Sequence, residues 1–437
     1  MPQAQSHSDR LDRAQWLVEQ DAKQMAQDLA HMIAVDTSFP PGAGYGEFAD
    51  LMESLLSGLD FVFERVTVPD PLWQSGAGES HGARVNLIGR RQGLASGRDV
   101  CGLYYHVDTV PPGDGWTSDP LTLTPRGTRW HGRGAADMKG TIAATLSALR
   151  AAKAAELPLR FEPTLLFCTD EEGGLYPGIR YLAEQGKLLG HLLNFNGGAL
   201  PRIWAGCFGS IDLLFRIHGQ SAHSGDPVGG INAIEESLPL LNGLKALQRQ
   251  VETRTSTMPA PPHFQGRPLQ ARLTIAKVTG GSKGSTVPHQ VEILINRRYT
   301  PDERFEDVMA ELLACADKTM SGSAVLGMEH FLVGHLAPVK DPVGPHWPRW
   351  QAALSKGFGW PLETFSTWGS STSSDMGWVQ QAGIRELLLG GLSRPENHTH
   401  AADEYTTQED VVALAKSILL YLASDFPNPE DHRTYTP

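Results

Sequence analysis

The chain has 437 residues, room for roughly two to four domains, and its 41% hydrophobic and 20% charged residues exclude a wholly disordered, collagen-like or coiled-coil protein. Forty-nine acids against 37 Lys and Arg leave a formal charge of -12, which repels phosphate backbones and anionic lipid. Nucleic acid and membrane are thereby excluded as partners, and a small molecule is expected. The four cysteines (Cys101, Cys168, Cys207, Cys315) form no CxxC pair and read as reduced structural thiols.

The start of the chain is polar and lacks the apolar run of a signal peptide, and no stretch of about 18 apolar residues could span a bilayer, so the expected location is the cytoplasm. Residues 15–34 carry apolar positions at helical spacing, 36–46 form a Pro/Gly loop, 47–59 predict a second helix and 60–68 a strand. Short apolar runs at 83–88, 100–105 and 163–168 read as buried strands, with an Ala- and Leu-rich helix at 141–155 between the last two. This alternation predicts an α/β fold around a largely parallel sheet covered on both faces.

From about residue 208 to 333 the texture changes to strand (210–217), helix (231–251), strands (273–279, 290–299), helix (302–318) and strand (324–331), which predicts a two-layer α+β module inserted into the first domain. The α/β pattern resumes with helices at 347–358 and 407–423. There is no internal repeat, and the Pro-rich residues 258–268 read as a loop.

Three segments place polar, metal-competent side chains directly after an apolar run, at the edge where open α/β sheets bind ligands. In CGLYYHVDTVPPGDGW, His106 and Asp108 are two apart and point to one side of an extended backbone, so the carboxylate can orient an imidazole that binds metal. In WHGRGAADMKGT, three glycines permit tight turns around Asp137 before a helix; the spacing is GxGxxD rather than GxGxxG, and nucleotide binding is set aside. In LLFCTDEEGG, Asp170, Glu171 and Glu172 repel one another at a strand end unless a cation or proton offsets them. Glu171 and Glu172 diverge, so that one can ligate while the other handles protons. RPENHTHAADEYT then offers His398 and His400, one of which completes the site. Each segment alone is ordinary: a satisfied His–Asp pair, a solvated acidic turn, two surface histidines. Their coincidence is the signal.

Together HVDTVPPGDGW, GRGAADMKG, TDEEG and HxxxE, in this order over nearly the whole chain and with GQSAHSG at 219–225, resemble the aminoacylase, glutamate carboxypeptidase and succinyl-diaminopimelate desuccinylase family of metallopeptidases. The resemblance implies a mostly parallel-sheet α/β catalytic domain (residues 1–208 and 335–437) with an inserted ferredoxin-like α+β lid and dimerisation domain (209–334). It implies a divalent transition metal, Zn, Mn or Co, as one or two ions. By position, His106 resembles the first-metal histidine with Asp108 beside it, Asp137 the bridging aspartate, Glu171 the general base, and Glu172 and His400 the second-metal ligands. His400 is preferred to His398 for its four-residue step to Glu404. His223 matches a lid histidine that in the family reaches an active site, often that of the partner subunit. Arg298 resembles a lid arginine suited to a carboxylate fork, and Ser374 and Asp375 a substrate-binding Gly-Thr-Ser-Asp segment. Two departures stand out. Where the family places an acidic first-metal ligand this chain offers Asn196, a poorer ligand, so a single labile ion is expected. The lid's usual Asn-Val-Ile-Pro is Ser-Thr-Val-Pro here, ending at Pro288.

The resemblance implies hydrolysis of a carbon–nitrogen bond, an amide in a small carboxylate-bearing substrate, by metal-activated water with Glu171 as general base, in a homodimer or higher homo-oligomer joined through the lid. Two other readings stand beside it. One is hydrolytic deamination of an aminoaromatic acid such as 5-nitroanthranilate, a reaction of one family member, with which Trp347, Trp350, Trp360, Trp368 and Trp378 are compatible. The other is a non-catalytic small-molecule binder whose metal site has decayed at Asn196.

Overall fold

A computed structural model describes residues 6–74, 80–91, 99–226, 228–424 and 426. Its central sheet runs Phe61–Val68, Arg84–Arg91, Glu162–Cys168, Val100–His106, His191–Gly198, Leu387–Ser393 across its width. The last four strands are parallel, and the first two close one side antiparallel. Val100–His106 is buried from Cys101 onward and Glu162–Cys168 from Pro163 onward, without alternation, as strands covered on both faces must be. Helix Lys139–Ala154 is nearly all buried because its alanines allow close approach to helices His7–Gln20, Ala22–Ala34 and Gln408–Ala423.

A second sheet, ordered Arg272–Gly280, Gln290–Tyr299, Gly209–His218, Gly327–Leu336, is antiparallel throughout. Its strands alternate: Val291, Ile293 and Ile295 are buried, while Glu292, Leu294, Asn296 and Arg298 face outward half-exposed. The buried side packs with Ile211, Leu213, Leu240, Leu244 and Leu312, which bring in helices Leu238–Val251 and Phe305–Met320. This cluster is separate from the larger one around the central sheet.

Three differences from the expected elements have local causes. The first helix is two, His7–Gln20 and Ala22–Ala34, broken at Asp21. The helix at 231–251 divides at Ser237, just before Pro239, where a proline suits the first turn of the helix it opens. Short strands Thr124–Arg126, Arg129–His131 and Tyr405–Thr407 form a small sheet that the sequence pattern does not show. No helix among the described residues is long and apolar enough to cross a membrane.

Candidate active site

The parallel strands end on one edge, and the polar segments begin there. Val100–His106 terminates on His106, paired opposite Cys168, so the acidic turn at 170–172 starts beside it. His106 is fully buried; its Nε2 lies 3.0 Å from Asp137 Oδ1. Its Nδ1 lies 3.0 Å from the backbone oxygen of Asp108, whereas the Asp108 carboxylate stands 3.9 Å away. The carboxylate thus stays within ion-pair range of the expected ring nitrogen, while the hydrogen bond of that nitrogen goes to the Asp108 backbone oxygen. The Asp108 carboxylate instead accepts the Glu172 N–H at 2.9 Å.

The three adjacent acids go three ways. Asp170 has φ 63°, and its carboxylate points into a buried network where it accepts from Arg84 Nε at 2.7 Å and from the Tyr45 hydroxyl at 2.7 Å. Arg84 also donates to the carbonyls of Pro41, Gly42, His81 and Gly82 and lies over the Trp73 ring. Burial pushes Asp170 up to about 6 against the pull of Arg84. Glu172 turns to His400, whose Nε2 is 3.1 Å from Glu172 Oε2 and 3.3 Å from Asp137 Oδ2. Glu171 turns to Asn196, which donates its amide to Oε1 at 2.8 Å. Asn196, expected to offer its amide oxygen to a metal, thus gives its amide N–H to Glu171. His398 lies apart, with Nδ1 3.3 Å from the Ala402 carbonyl oxygen.

The electrostatics follow from this crowding. Burial works to raise Asp137, but His106 and His400 outweigh it and hold the carboxyl well below its usual range. His400 is raised to about 10 by its bonds to Asp137 and Glu172. Burial, only partly opposed by His106, pushes Glu171 well up, with Asp375, Glu172 and Asp137 adding to it. Imidazole protons therefore offset the carboxylates, and a divalent cation can do the same with the imidazoles neutral. The donor set fits one: ligand atoms of His106, Asp137 and Glu172 all lie within 4.8 Å of one another, and mixed nitrogen and oxygen donors suit first-row divalent ions.

Other expected residues stand farther out. His223 is exposed, its Nδ1 accepting from the Gly225 N–H at 3.1 Å, and among the described residues no hydrogen bond or ion pair joins it to the acids. Arg298 spans from the second sheet to the Ser373 hydroxyl, with Nε donating to Asn296 Oδ1 at 3.0 Å. Ser374 and Asp375 are buried; Ser374 Oγ accepts from Met376 N–H at 3.3 Å, and Asp375 accepts from the Tyr104 hydroxyl. Burial pushes Asp375 up to about 7. A cavity of about 240 Å³ opens beside Glu172 and Gly173, between Phe39 and Pro40 on one side and Asp212 and Leu294 of the second sheet on the other.

The tryptophans do not line it. Trp347, Trp350 and Trp378 are buried, Trp360 stacks on Phe358, and Trp368 carries the Arg202 guanidinium. The tryptophans therefore give an aromatic substrate no support in this cavity.

A profile of peptidase family M20/M25/M40 matches residues 102–424. The chain belongs to this family. The M20 chain is 28% identical over 333 residues to a succinyl-diaminopimelate desuccinylase of Xylella fastidiosa, covering 73% of this chain and 81% of that one. It is 33% identical over 264 residues to an acetylornithine deacetylase of Yersinia pseudotuberculosis, covering 59% and 62%. Its fold matches that of the dipeptidase Dug1p of Saccharomyces cerevisiae with a TM-score of 0.77 at 17% identity, over 95% of this chain and 98% of the other. The M20 chain is a hydrolase acting on carbon–nitrogen bonds, which overturns the reading as a non-catalytic binder, and the family depends on divalent metal ions.

Sequence reasoning gave no role to Arg84, Tyr45, Arg133 or Glu404. Glu404 stands in the HxxxE step and Arg133 in the GRGAADMKG segment, while Arg84 and Tyr45 lie in no such motif.

Proposed function

We propose that this M20 chain hydrolyses the amide bond of a small carboxylate-bearing substrate, with His106, Asp137, Glu172 and His400 holding Zn, Mn or Co and Glu171 carrying the proton. The observation that supports this most is the meeting of two histidines and two carboxylates from four separate segments, with a third, buried carboxylate directly beside them. The names of the relatives, a desuccinylase and a deacetylase, favour an amide over an aryl amine. Asp108 orients His106 through its backbone oxygen.

When bound, the cation supplies Lewis acidity, which acidifies a water and polarises the scissile carbonyl. Glu171 takes the proton of the attacking water and returns it to the departing nitrogen, a role that its buried place beside the ligand residues suits. Asn196 fixes one Glu171 oxygen, which leaves the other for exchange, and its engagement there supports a single labile ion. Arg298 would bind the substrate carboxylate through the guanidinium N–H groups left free by Asn296 and Ser373, with the buried Ser374 and Asp375 next in the chain after Ser373. His223, exposed and without a described hydrogen bond or ion pair to the acids of its own chain, serves the partner subunit's site, with residues 209–334 as the lid of a homodimer or larger assembly.

Glu171→Gln should lower kcat on N-acyl amino acids by roughly two to four powers of ten while calorimetric titration with Zn²⁺ or Co²⁺ stays near wild type. Loss of metal uptake in that variant would mean that Glu171 and Glu172 exchange roles. Release of ammonia from 5-nitroanthranilate, without hydrolysis of N-acyl substrates, would overturn the amide reading.

A further inference from the structure

We propose that Glu404 is a positioning residue: its buried carboxylate clamps together the loops carrying Asp137 and His400 and so sets the cation affinity of the site. This rests on the reading of those two residues as ligands. Glu404 is 1% exposed, and in the described hydrogen bonds its carboxylate accepts from none of the side chains of His106, Asp137 and Glu172. All its hydrogen-bonding capacity goes to the loop before Asp137. Oε1 accepts from the backbone N–H groups of Ala136 at 2.9 Å and Asp137 at 3.1 Å. Oε2 accepts from the Gly134 N–H at 3.1 Å and from Arg133 Nη1 at 2.6 Å. An ionised carboxylate is acceptor-only with about four sites, so these four donors saturate it.

The same loop pair is tied at a further point. Gly132 N–H donates to the Glu404 carbonyl at 2.9 Å, and Tyr405 pairs with His131 in the small sheet. From Glu404 the chain runs back only four residues to His400, through positive φ at Asp403 (58°) and His400 (64°), and this curl returns the imidazole over Asp137 at 3.3 Å. One side chain therefore fixes the backbone under Asp137 and the root of the segment that bears His400. Arg133, the only charged donor to Glu404 among the described residues, is itself held by the Pro112 carbonyl and the Trp116 face. A group that merely stabilised the fold would not need to bond the amide of the ligand residue itself.

Glu404→Gln replaces one carboxylate oxygen with an NH2 that, whichever way the amide turns, faces two N–H donors. The test uses the full-length protein stripped of metal by chelation and titrated with Co²⁺, following heat and the visible spectrum, with circular dichroism to show that the fold is kept. The expected result is a folded variant whose Co²⁺ affinity falls about 10- to 100-fold, with an altered spectrum. Asp403→Asn is the control, because the Asp403 carboxylate bonds only Thr117 in the described hydrogen bonds; it should keep wild-type affinity. Wild-type affinity in Glu404→Gln, or an equal loss in Asp403→Asn, overturns the clamp. No Co²⁺ uptake by the unmutated protein overturns the ligand reading and the clamp with it. If Glu404→Gln does not fold, Arg133→Met carries the test. It leaves the three backbone bonds and should weaken Co²⁺ binding by a smaller factor, about threefold to tenfold, and an unchanged affinity overturns the proposal.

Discussion

Asp170 shows how one backbone angle divides three neighbouring carboxylates. With φ at 63°, the chain turns back on itself, and Asp170 goes to Arg84 while Glu171 and Glu172 go to the cleft. Both partners of the Asp170–Arg84 pair are about 1% exposed or less, so breaking it strands a buried charge. Arg84→Met should cost about 3–5 kcal/mol in urea unfolding, far more than a surface ion pair such as Arg65–Asp50 would on removal. A loss under about 1 kcal/mol would mean the network is not formed in solution. At this scale the sequence was partly legible. The residue types near the cleft could be named because His, Asp and Glu after apolar strands carry their own chemical meaning. Where each side chain points could not, because that depends on where a strand stops and on a single φ. Asp108, whose carboxylate accepts the Glu172 N–H, and Asn196, whose amide donates to Glu171, show contacts that the residue types alone do not give.

Short elements carry the site, and they are the ones the pattern hides. A three-residue strand such as Arg129–His131 has no period to detect, yet its pairing with Tyr405–Thr407 is what brings distant loops together. The long buried strands and the helix Lys139–Ala154 were legible because burial writes itself as uninterrupted apolar runs. The start of that helix is tightly packed on the loop before it. A Cβ at Gly140 would sit 2.3 Å from the Ala135 carbonyl oxygen and 2.9 Å from the Leu392 side chain. Gly140→Ala must therefore push residues 134–137 outward, and it should cost about 1–3 kcal/mol in stability. It should also weaken metal binding by about tenfold, read by titration of the metal-free protein. A stability loss with unchanged metal affinity would show that the loop absorbs the strain without moving Asp137.

Two buried histidines lie away from the acids of the candidate site. His191 packs in the large core against His346 and Phe161, and His335 stacks on Phe305 between the two parts of the fold. Burial, with nearby cations, lowers both to about 3. The sign is that of depressed groups. Above about pH 6.5 both states are neutral at these positions; below it the unfolded chain takes up protons that the folded chain refuses, down to about pH 3. Each histidine should therefore steepen the fall of stability by about 1.4 kcal/mol per pH unit between pH 6 and 4. Urea titrations across that range, for the wild type and for His335→Gln, should show a shallower slope in the variant. Identical slopes would remove His335 from the account.

Two oily interiors that do not merge need not melt as one. The smaller is built on the Gly209–His218 and Gln290–Tyr299 strands, whose outward row bears Arg298, whereas His106, Glu171 and Glu172 hang from the larger. Should the smaller open first, and should Arg298 hold substrate as proposed, KM would climb on warming at temperatures where the ion is still retained.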